Sequence, residues 1–221
     1  MFDFSEKIYF ISGIDTDIGK TAATGALARL AHRQEKRVIT QKPVQTGGCG
    51  MAADIVEHRR IQSIAPTDQD KDGITCSYHL PYAASPHLAA RLAGIRIDTA
   101  VMDAATHCLA AQHDVVLMEG AGGLGVPLHE RLVTADFVRE RDYAVILVTC
   151  GRLGSINHTL AAFSLLRAHG LRLAAVVYNH YFDEDKLMSA DTRAYLLRHA
   201  AQHFPQACWL DLSDDYQLKP A

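Results

Sequence analysis

The chain has 221 residues, enough for one domain with a full hydrophobic core, and a single domain spanning 1–221 is expected. Its 22 lysines and arginines stand against 25 aspartates and glutamates, a formal net charge of -3. That balance excludes the strongly basic surface of a nucleic-acid binder, and no apolar stretch reaches the roughly 18 residues of a membrane span.

The first predicted strand is KIYFIS, Lys7–Ser12, and its preceding residues lack the cationic and apolar regions of a secretory leader. A polar turn follows, then a helical pattern with Ala23, Leu27, Leu30 and Ala31 on one face. RVITQ, Arg37–Gln41, is the second strand. A polar, irregular excursion occupies Gly47–Tyr82 and carries one helix, about Ala52–Gln62. DVVLME (Asp114–Glu119) and YAVILVT (Tyr143–Thr149) are the next strands. A helix through Ile156, Leu160, Phe163 and Leu166 is then closed by Gly170, and LAAVVYN, Leu173–Asn179, is the fifth strand. These runs are continuously apolar, as in strands covered on both faces. Repeated strand–helix units predict an α/β fold of three layers, a mostly parallel sheet with helices on both sides and ligands at the strands' carboxyl ends.

The turn after the first strand reads GIDTDIGKT, Gly13–Thr21. Gly19 admits close backbone approach, Lys20 brings a point charge to β- and γ-phosphates, and the Thr21 hydroxyl suits Mg²⁺. The helix starting there turns free N–H groups toward the anion. Generic phosphate-loop spacing would put the first glycine at Ile14; here five residues separate Gly13 from Gly19. Lys42 leaves the second strand ahead of Pro43, which forces extended geometry, so it can place a second cation beside Lys20. Glu119 ends the third strand before a glycine-rich turn, where a carboxylate usually faces the magnesium ion. Gly120, Gly122 and Gly123 let backbone approach the same phosphates. Read singly, Lys42 is equally a surface lysine, Glu119 an ordinary strand end, and Asp54 a charge at a helix start. Asn179 can read a base edge, and Phe182 stands where a guanine-reading motif needs aspartate, so adenine is favoured.

The five cysteines, Cys49, Cys76, Cys108, Cys150 and Cys208, include no CxxC pair and read as free thiols of a reducing cytosol. Among the 12 histidines, His32, His58, His107, His113, His169, His199 and His203 lie in or beside helical patterns and are expected to be solvated or packed. His87 and His158, in SPH and INH, are better site candidates, yet neither has the i,i+4 partner of a zinc site.

In order, GIDTDIGKT, KPVQTG (Lys42–Gly47), SPH (Ser85–His87), EGAGG (Glu119–Gly123), RLGSINH (Arg152–His158) and YNH (Tyr178–His180) resemble the dethiobiotin synthetase family. The longer loop spacing is that family's own, and the resemblance runs from Ile8 to about His180. It implies an ATP- and Mg²⁺-dependent cyclo-ligase that closes a ureido ring on diaminopelargonic acid with CO₂. Asp17, Ile18, Gly19, Lys20, Thr21 and Ala22 would wrap the ATP phosphates with Gly120, Ala121 and Gly122. Thr21, Asp54 and Glu119 would surround Mg²⁺. Lys42 would be the active-site lysine beside Lys20, and Thr46 would contact the diamine. Gly154, Ser155, Ile156 and Asn157 would hold the substrate carboxylate from the partner subunit, implying a cytoplasmic homodimer with shared sites and no nucleic-acid or membrane partner. Asn179 and His180 would face adenine.

Departures from the family pattern are Ile14 in the loop, Gln45-Thr46 for the commoner Ala-Ser, and a tail without the G-x-[IV]-P that helps enclose adenine in relatives, where Ala207, Cys208 and Trp209 would face the base instead. A partitioning-class ATPase carries a lysine near the start of its loop, which GIDTD lacks. A cobyrinic-acid amidating enzyme needs a glutaminase domain for which there is no room. A small-molecule kinase, leaving no ring closed, is the remaining alternative.

Overall fold

A computed structural model describes residues 2–221. The first apolar run forms β1 (Ile8–Gly13), the turn opens α1 (Lys20–Arg33), and the second run forms β2 (Val38–Gln41). The polar excursion holds β3 (Val44–Thr46), α2 (Ala53–Gln62), the single turn α3 (Asp68–Lys71) and β4 (Tyr78–Leu80). Then come α4 (Pro86–Leu92), α5 (Thr99–Gln112), β5 (Val115–Glu119) and the hairpin of β6 (Pro127–His129) with β7 (Leu132–Val133). α6 (Thr134–Glu140) leads into β8 (Ala144–Cys150), α7 (Ser155–Ala168) and β9 (Leu173–Asn179). The chain ends with α8 (Lys186–His203), β10 (Cys208–Leu212) and β11 (Leu218–Pro220).

Seven strands form the main sheet in the order β11-β10-β9-β8-β1-β5-β2. All neighbours run parallel except β11, which returns antiparallel on β10. The five predicted strands lie within one residue of the observed ones at either end. Their continuous apolarity has a simple cause: alternate residues enter two separate cores. Tyr9, Ile11, Leu117, Ile146 and Val148 pack with Ala23, Leu27 and Ala31 of α1 on one face. Phe10, Met118, Val145 and Leu147 pack with Phe137, Phe163, Leu166 and Leu196 of α6, α7 and α8 on the other. Burying a side chain such as Leu27 contributes about 1.5–3 kcal/mol.

Two contacts hold the excursion against this frame. At Gly25 in α1, an added Cβ would lie 2.8 Å from Cβ of Ile61 in α2, so the helices touch almost backbone to backbone. Gly25→Val should therefore destabilise the fold by about 1–3 kcal/mol through overpacking, read from the denaturant midpoint; an unchanged midpoint would contradict this packing. Arg59 in α2, 1% exposed, forks onto Asp70 with Nε–Oδ2 at 2.8 Å and Nη2–Oδ1 at 2.7 Å. Its Nη1 also donates to Thr40 Oγ1 of β2 at 2.7 Å. Asp70 further accepts from Thr67 N and Thr75 Oγ1, so its buried charge is fully partnered. This network fixes α2, and with it the two side chains that α2 sends into the site.

Candidate active site

Each chemical group stands where a strand or helix terminates. After β1 the loop turns at Gly19, whose φ of 91° is left-handed and where a Cβ would fall 2.1 Å from Asn179 Nδ2. No other residue fits there. Helix α1 begins at the next residue, so its open N–H groups face the cavity mouth. Lys20 curls over the loop and donates to Asp15 O at 2.7 Å. Burial, with Lys42 adding its positive field, holds its pKa below the usual lysine value.

Lys42 leaves β2 with its backbone N–H bonded to Thr75 O at 2.8 Å. Its ammonium lies 2.6 Å from Asp54 Oδ2 and 2.8 Å from Glu119 Oε1, and donates to Gly120 O at 3.1 Å. Burial opposes the charge, but Glu119 and then Asp54 outweigh it, so the Lys42 pKa is raised and the group is a fixed cation. Glu119, 1% exposed, meets Lys42 and the Thr21 hydroxyl (3.1 Å) on Oε1 and His58 Nε2 (2.7 Å) on Oε2. Burial would lift its carboxyl, yet the Lys42 charge and the His58 contact hold it far below the carboxylate range. Asp54 and His58 sit one turn apart in α2, on one face of that helix.

These groups converge on a cavity of about 1060 Å³ lined by both Lys20 and Lys42. Asp17, Gly19, Thr21, Ala22, Thr46, Asp54, Glu119, Ala121, Gly122 and Asn179 also line it. Ile18 lies buried beneath the loop, and Gly120 meets the site through its carbonyl. Asn179 does reach the cavity, but its amide buttresses the protein: Nδ2 donates to Ile18 O at 3.0 Å and Oδ1 accepts from Tyr181 N at 3.2 Å. One amide hydrogen is left for a ligand.

The far end of the cavity differs from the expectation. His180 does not line it; its ring bonds Asp183 Oδ2 at 2.6 Å and Asp211 Oδ1 at 3.0 Å. Ala207, Cys208 and Trp209 do not line it either. The parallel register pairs Cys208 with Ala175 and Leu212 with Asn179, so those three residues start β10 at the opposite end of the sheet from the cavity. Tyr181, Phe182, Leu212, Ser213, Asp214 and Tyr216 form this wall instead. Tyr216 is held there by Arg60, whose Nη2 donates to its hydroxyl at 2.7 Å, and by Arg29 on its carbonyl at 2.9 Å. Gly154, Ser155, Ile156 and Asn157 also lie outside this chain's own cavity, at the amino end of α7. Ser155 is buried with Oγ against Cys150 Sγ, while Asn157 is exposed. His87 lines a second, separate groove, and His158 lies 3.7 Å from Asp15.

His58, expected from its helical pattern to be solvated or packed, belongs to the site. It is fully buried, yet bonded to Glu119. Its spacing of four from Asp54 was the available signal, visible only once Asp54 is known to face the site.

Thr21 Oγ1 lies 3.1 Å from Glu119 Oε1, and Lys42 Nζ bridges Glu119 Oε1 and Asp54 Oδ2, so the three residues gather hard oxygens in one part of the cavity. Such a set suits Mg²⁺, which takes one or two carboxylates and completes its shell with water and phosphate. Among the described residues no group of three His, Cys, Asp or Glu could hold a metal by itself.

A glycine-lysine-threonine loop between β1 and α1, with a carboxylate ending the adjacent parallel strand, defines a phosphate-loop nucleotide-binding protein. Solved structures agree on the fold. The signal recognition particle receptor FtsY from Elizabethkingia anophelis aligns with a TM-score of 0.56 at 16% identity over 99% of this chain, which spans 62% of that chain. A ParA family ATPase from Chlorobium tepidum aligns at 0.53 and 12% identity, covering 94% of this chain and 84% of that one. A family model described as AAA domain matches residues 7–204. ATP-dependent dethiobiotin synthetase BioD 2 of Pasteurella multocida is 47% identical over 199 residues, 90% of this chain and 93% of the relative. ATP-dependent dethiobiotin synthetase BioD of Chlorobaculum tepidum is 44% identical over 94% of this chain and 87% of its own. The chain belongs to the dethiobiotin synthetase family.

Proposed function

We propose that this protein is an ATP-dependent dethiobiotin synthetase, joining CO₂ to 7,8-diaminopelargonic acid and closing the ureido ring of dethiobiotin. The observation that carries the reading is the placement of Lys20 and Lys42, from two different strand ends, in one cavity with Thr21, Asp54 and Glu119. Two ammonium groups beside a helix amino end call for a polyanion and a second anionic reactant.

The chemistry then follows from substrate groups. One amine adds to CO₂ and loses a proton, giving a carbamate. A carbamate oxygen attacks the γ-phosphorus, ADP departs, and a carbamic–phosphoric anhydride remains. The second amine attacks the carbonyl carbon, phosphate leaves with the carbamate's oxygen, and the five-membered ring is closed. Protein groups position and neutralise, as phosphoryl transfer requires. The backbone from Asp17 to Ala22, with Gly120, Ala121 and Gly122, wraps the phosphates, and Lys20 spans the β- and γ-positions. Lys42 faces carbamate and γ-phosphoryl together; its raised pKa makes it a cation and not a proton acceptor. Thr21, Asp54 and Glu119 would hold Mg²⁺, which when bound spreads the charge of the phosphates. Thr46 lies on the diamine side. Asn179 and the wall of Tyr181, Ser213, Asp214 and Tyr216 enclose the base.

We assign the carboxylate tail of the diamine to Gly154, Ser155, Ile156 and Asn157 of the partner subunit in a homodimer. Their position outside the cavity of their own chain supports this, as does Leu153 beside them at 86% exposure. Asn157→Ala should raise the KM for the diamine by about 10-fold, the value of one hydrogen bond to a charged group, and leave the KM for ATP alone. An unchanged diamine KM would remove the shared site. Among the described residues no helix is long and apolar enough to cross a membrane. We place the protein in the cytoplasm because its cysteines are free thiols, as in a reducing compartment.

Incubation with diaminopelargonic acid, bicarbonate, Mg²⁺ and ATP tests the reading: dethiobiotin and phosphate should accumulate one to one. A phosphorylated acceptor with no cyclic urea would instead identify a small-molecule kinase.

A further inference from the structure

His58 is fully buried and is absent from the cavity lining, yet its Nε2 lies 2.7 Å from Glu119 Oε2. A carboxylate oxygen accepts, so in this contact Nε2 is the donor. Nδ1 has no partner in the structure. A buried orphan nitrogen costs free energy, and the Nε2 bond to Glu119 is the sole polar contact of the ring offsetting it.

The two oxygens of Glu119 have different neighbours. Oε1 faces Lys42 and Thr21, both of which line the cavity. Oε2 faces only His58, which ligands do not reach. The terminal torsion of a glutamate is broad, so a carboxylate held through ligand-facing partners alone would rotate.

We infer that His58 is a positioning residue: its Nε2–H pins Oε2 of Glu119 so that Glu119 presents Oε1, and Oε1 alone, to Mg²⁺. The inference rests on the proposed ligand role of Glu119 and adds the residue that orients it. Metal-ligating carboxylates depend on such outer contacts, whose loss costs about 10–100-fold in metal affinity. A one-oxygen carboxylate also suits Mg²⁺ better than Ca²⁺, which favours two-oxygen binding.

The test is calorimetric titration of Mg²⁺ into the full chain saturated with a non-hydrolysable ATP analogue, alongside thermal unfolding. His58→Gln keeps an N–H donor near the Nε2 position, whereas His58→Asn offers one only near Nδ1 and His58→Leu offers none. The expected result is Mg²⁺ affinity near that of the unaltered protein for His58→Gln, and weaker by about 10–100-fold for His58→Asn and His58→Leu. Ca²⁺ affinity should fall less than Mg²⁺ affinity in the latter two. Equal Mg²⁺ affinity in all four proteins, or equal loss in His58→Gln and His58→Leu with unfolding midpoints intact, overturns the assignment. Because the readout is metal binding, a failure to form dethiobiotin would count against the proposed function and not against His58.

Discussion

Replacing Lys42 by alanine should cut dethiobiotin formation by about 10²–10³-fold or more while ATP still binds. The reason is its position. Lys20 sits in the phosphate loop and bonds the loop's own carbonyl at Asp15, on the side proposed for the nucleotide. Lys42 projects from the end of β2, with β5 between that strand and β1, and lies between Asp54 and Glu119; Thr46 also lines the cavity. In the proposed reaction Lys42 is therefore the cation common to nucleotide and second substrate. Its removal takes away a charge most needed as the carbamate oxygen meets the γ-phosphorus, which lowers kcat and kcat/KM together. Single-turnover kinetics with a parallel measurement of ATP affinity reads both effects, and the unfolding midpoint separates lost chemistry from lost fold. Turnover equal to that of the unaltered protein would take Lys42 out of the reaction.

Arg59→Ala should lower stability by about 3–5 kcal/mol, the cost of leaving one partner of a buried pair uncompensated. Arg59 is the largest fully buried side chain, and its guanidinium holds Asp70 and Thr40 at once. The loss corresponds to a fall of roughly 10 °C in Tm for a chain of this size. The pair also fixes the acid limb. Burial would raise the Asp70 carboxyl, but Arg59 overrides it and holds the pKa at about 2, against an ordinary 3.8. A depressed carboxyl stabilises the fold above its unfolded value and loses that contribution as pH falls toward the folded one. The unaltered protein should therefore keep this contribution above pH 3.8 and shed it toward about 2. In Arg59→Ala that acid-sensitive step should shrink. A midpoint within 2 °C of the original, or roughly 0.5–1 kcal/mol, would mean that the network does not carry α2. Because α2 brings Asp54 to the cavity and His58 to the buried side of Glu119, metal affinity should weaken in the same variant.

Much of this frame can be read from residue order, for physical reasons. β1, β2, β5, β8 and β9 are buried on both faces, and continuous apolar runs report that directly. Lys20, Thr21, Lys42 and Glu119 stand just past such runs, and in a parallel sheet that position is the binding edge. β10 was not recognised because CWLDL is short and interrupted by Asp211. Without that strand its carboxyl end could not be located, and Ala207, Cys208 and Trp209 were set at the adenine in place of Leu212, Ser213 and Asp214. The elements β3, α3 and β4 are too short to carry a period; the Arg59 bond to Thr40 and the Lys42 N–H on the Thr75 carbonyl hold their surroundings through contacts distant in sequence. His58 follows the same rule: a buried histidine on a helix takes its meaning from the carboxylate opposite, 61 positions away.

The measurement that bears most directly on the joining of carbamate and phosphoryl group is oxygen transfer from labelled CO₂. With ¹⁸O-labelled CO₂, ordinary water, diaminopelargonic acid, Mg²⁺ and ATP, the phosphate released before exchange with solvent should carry one labelled oxygen, and the ureido carbonyl the other. Phosphate without label, its new oxygen drawn from water or from the diamine's carboxylate, would contradict the carbamic–phosphoric anhydride and the shared role of Lys42.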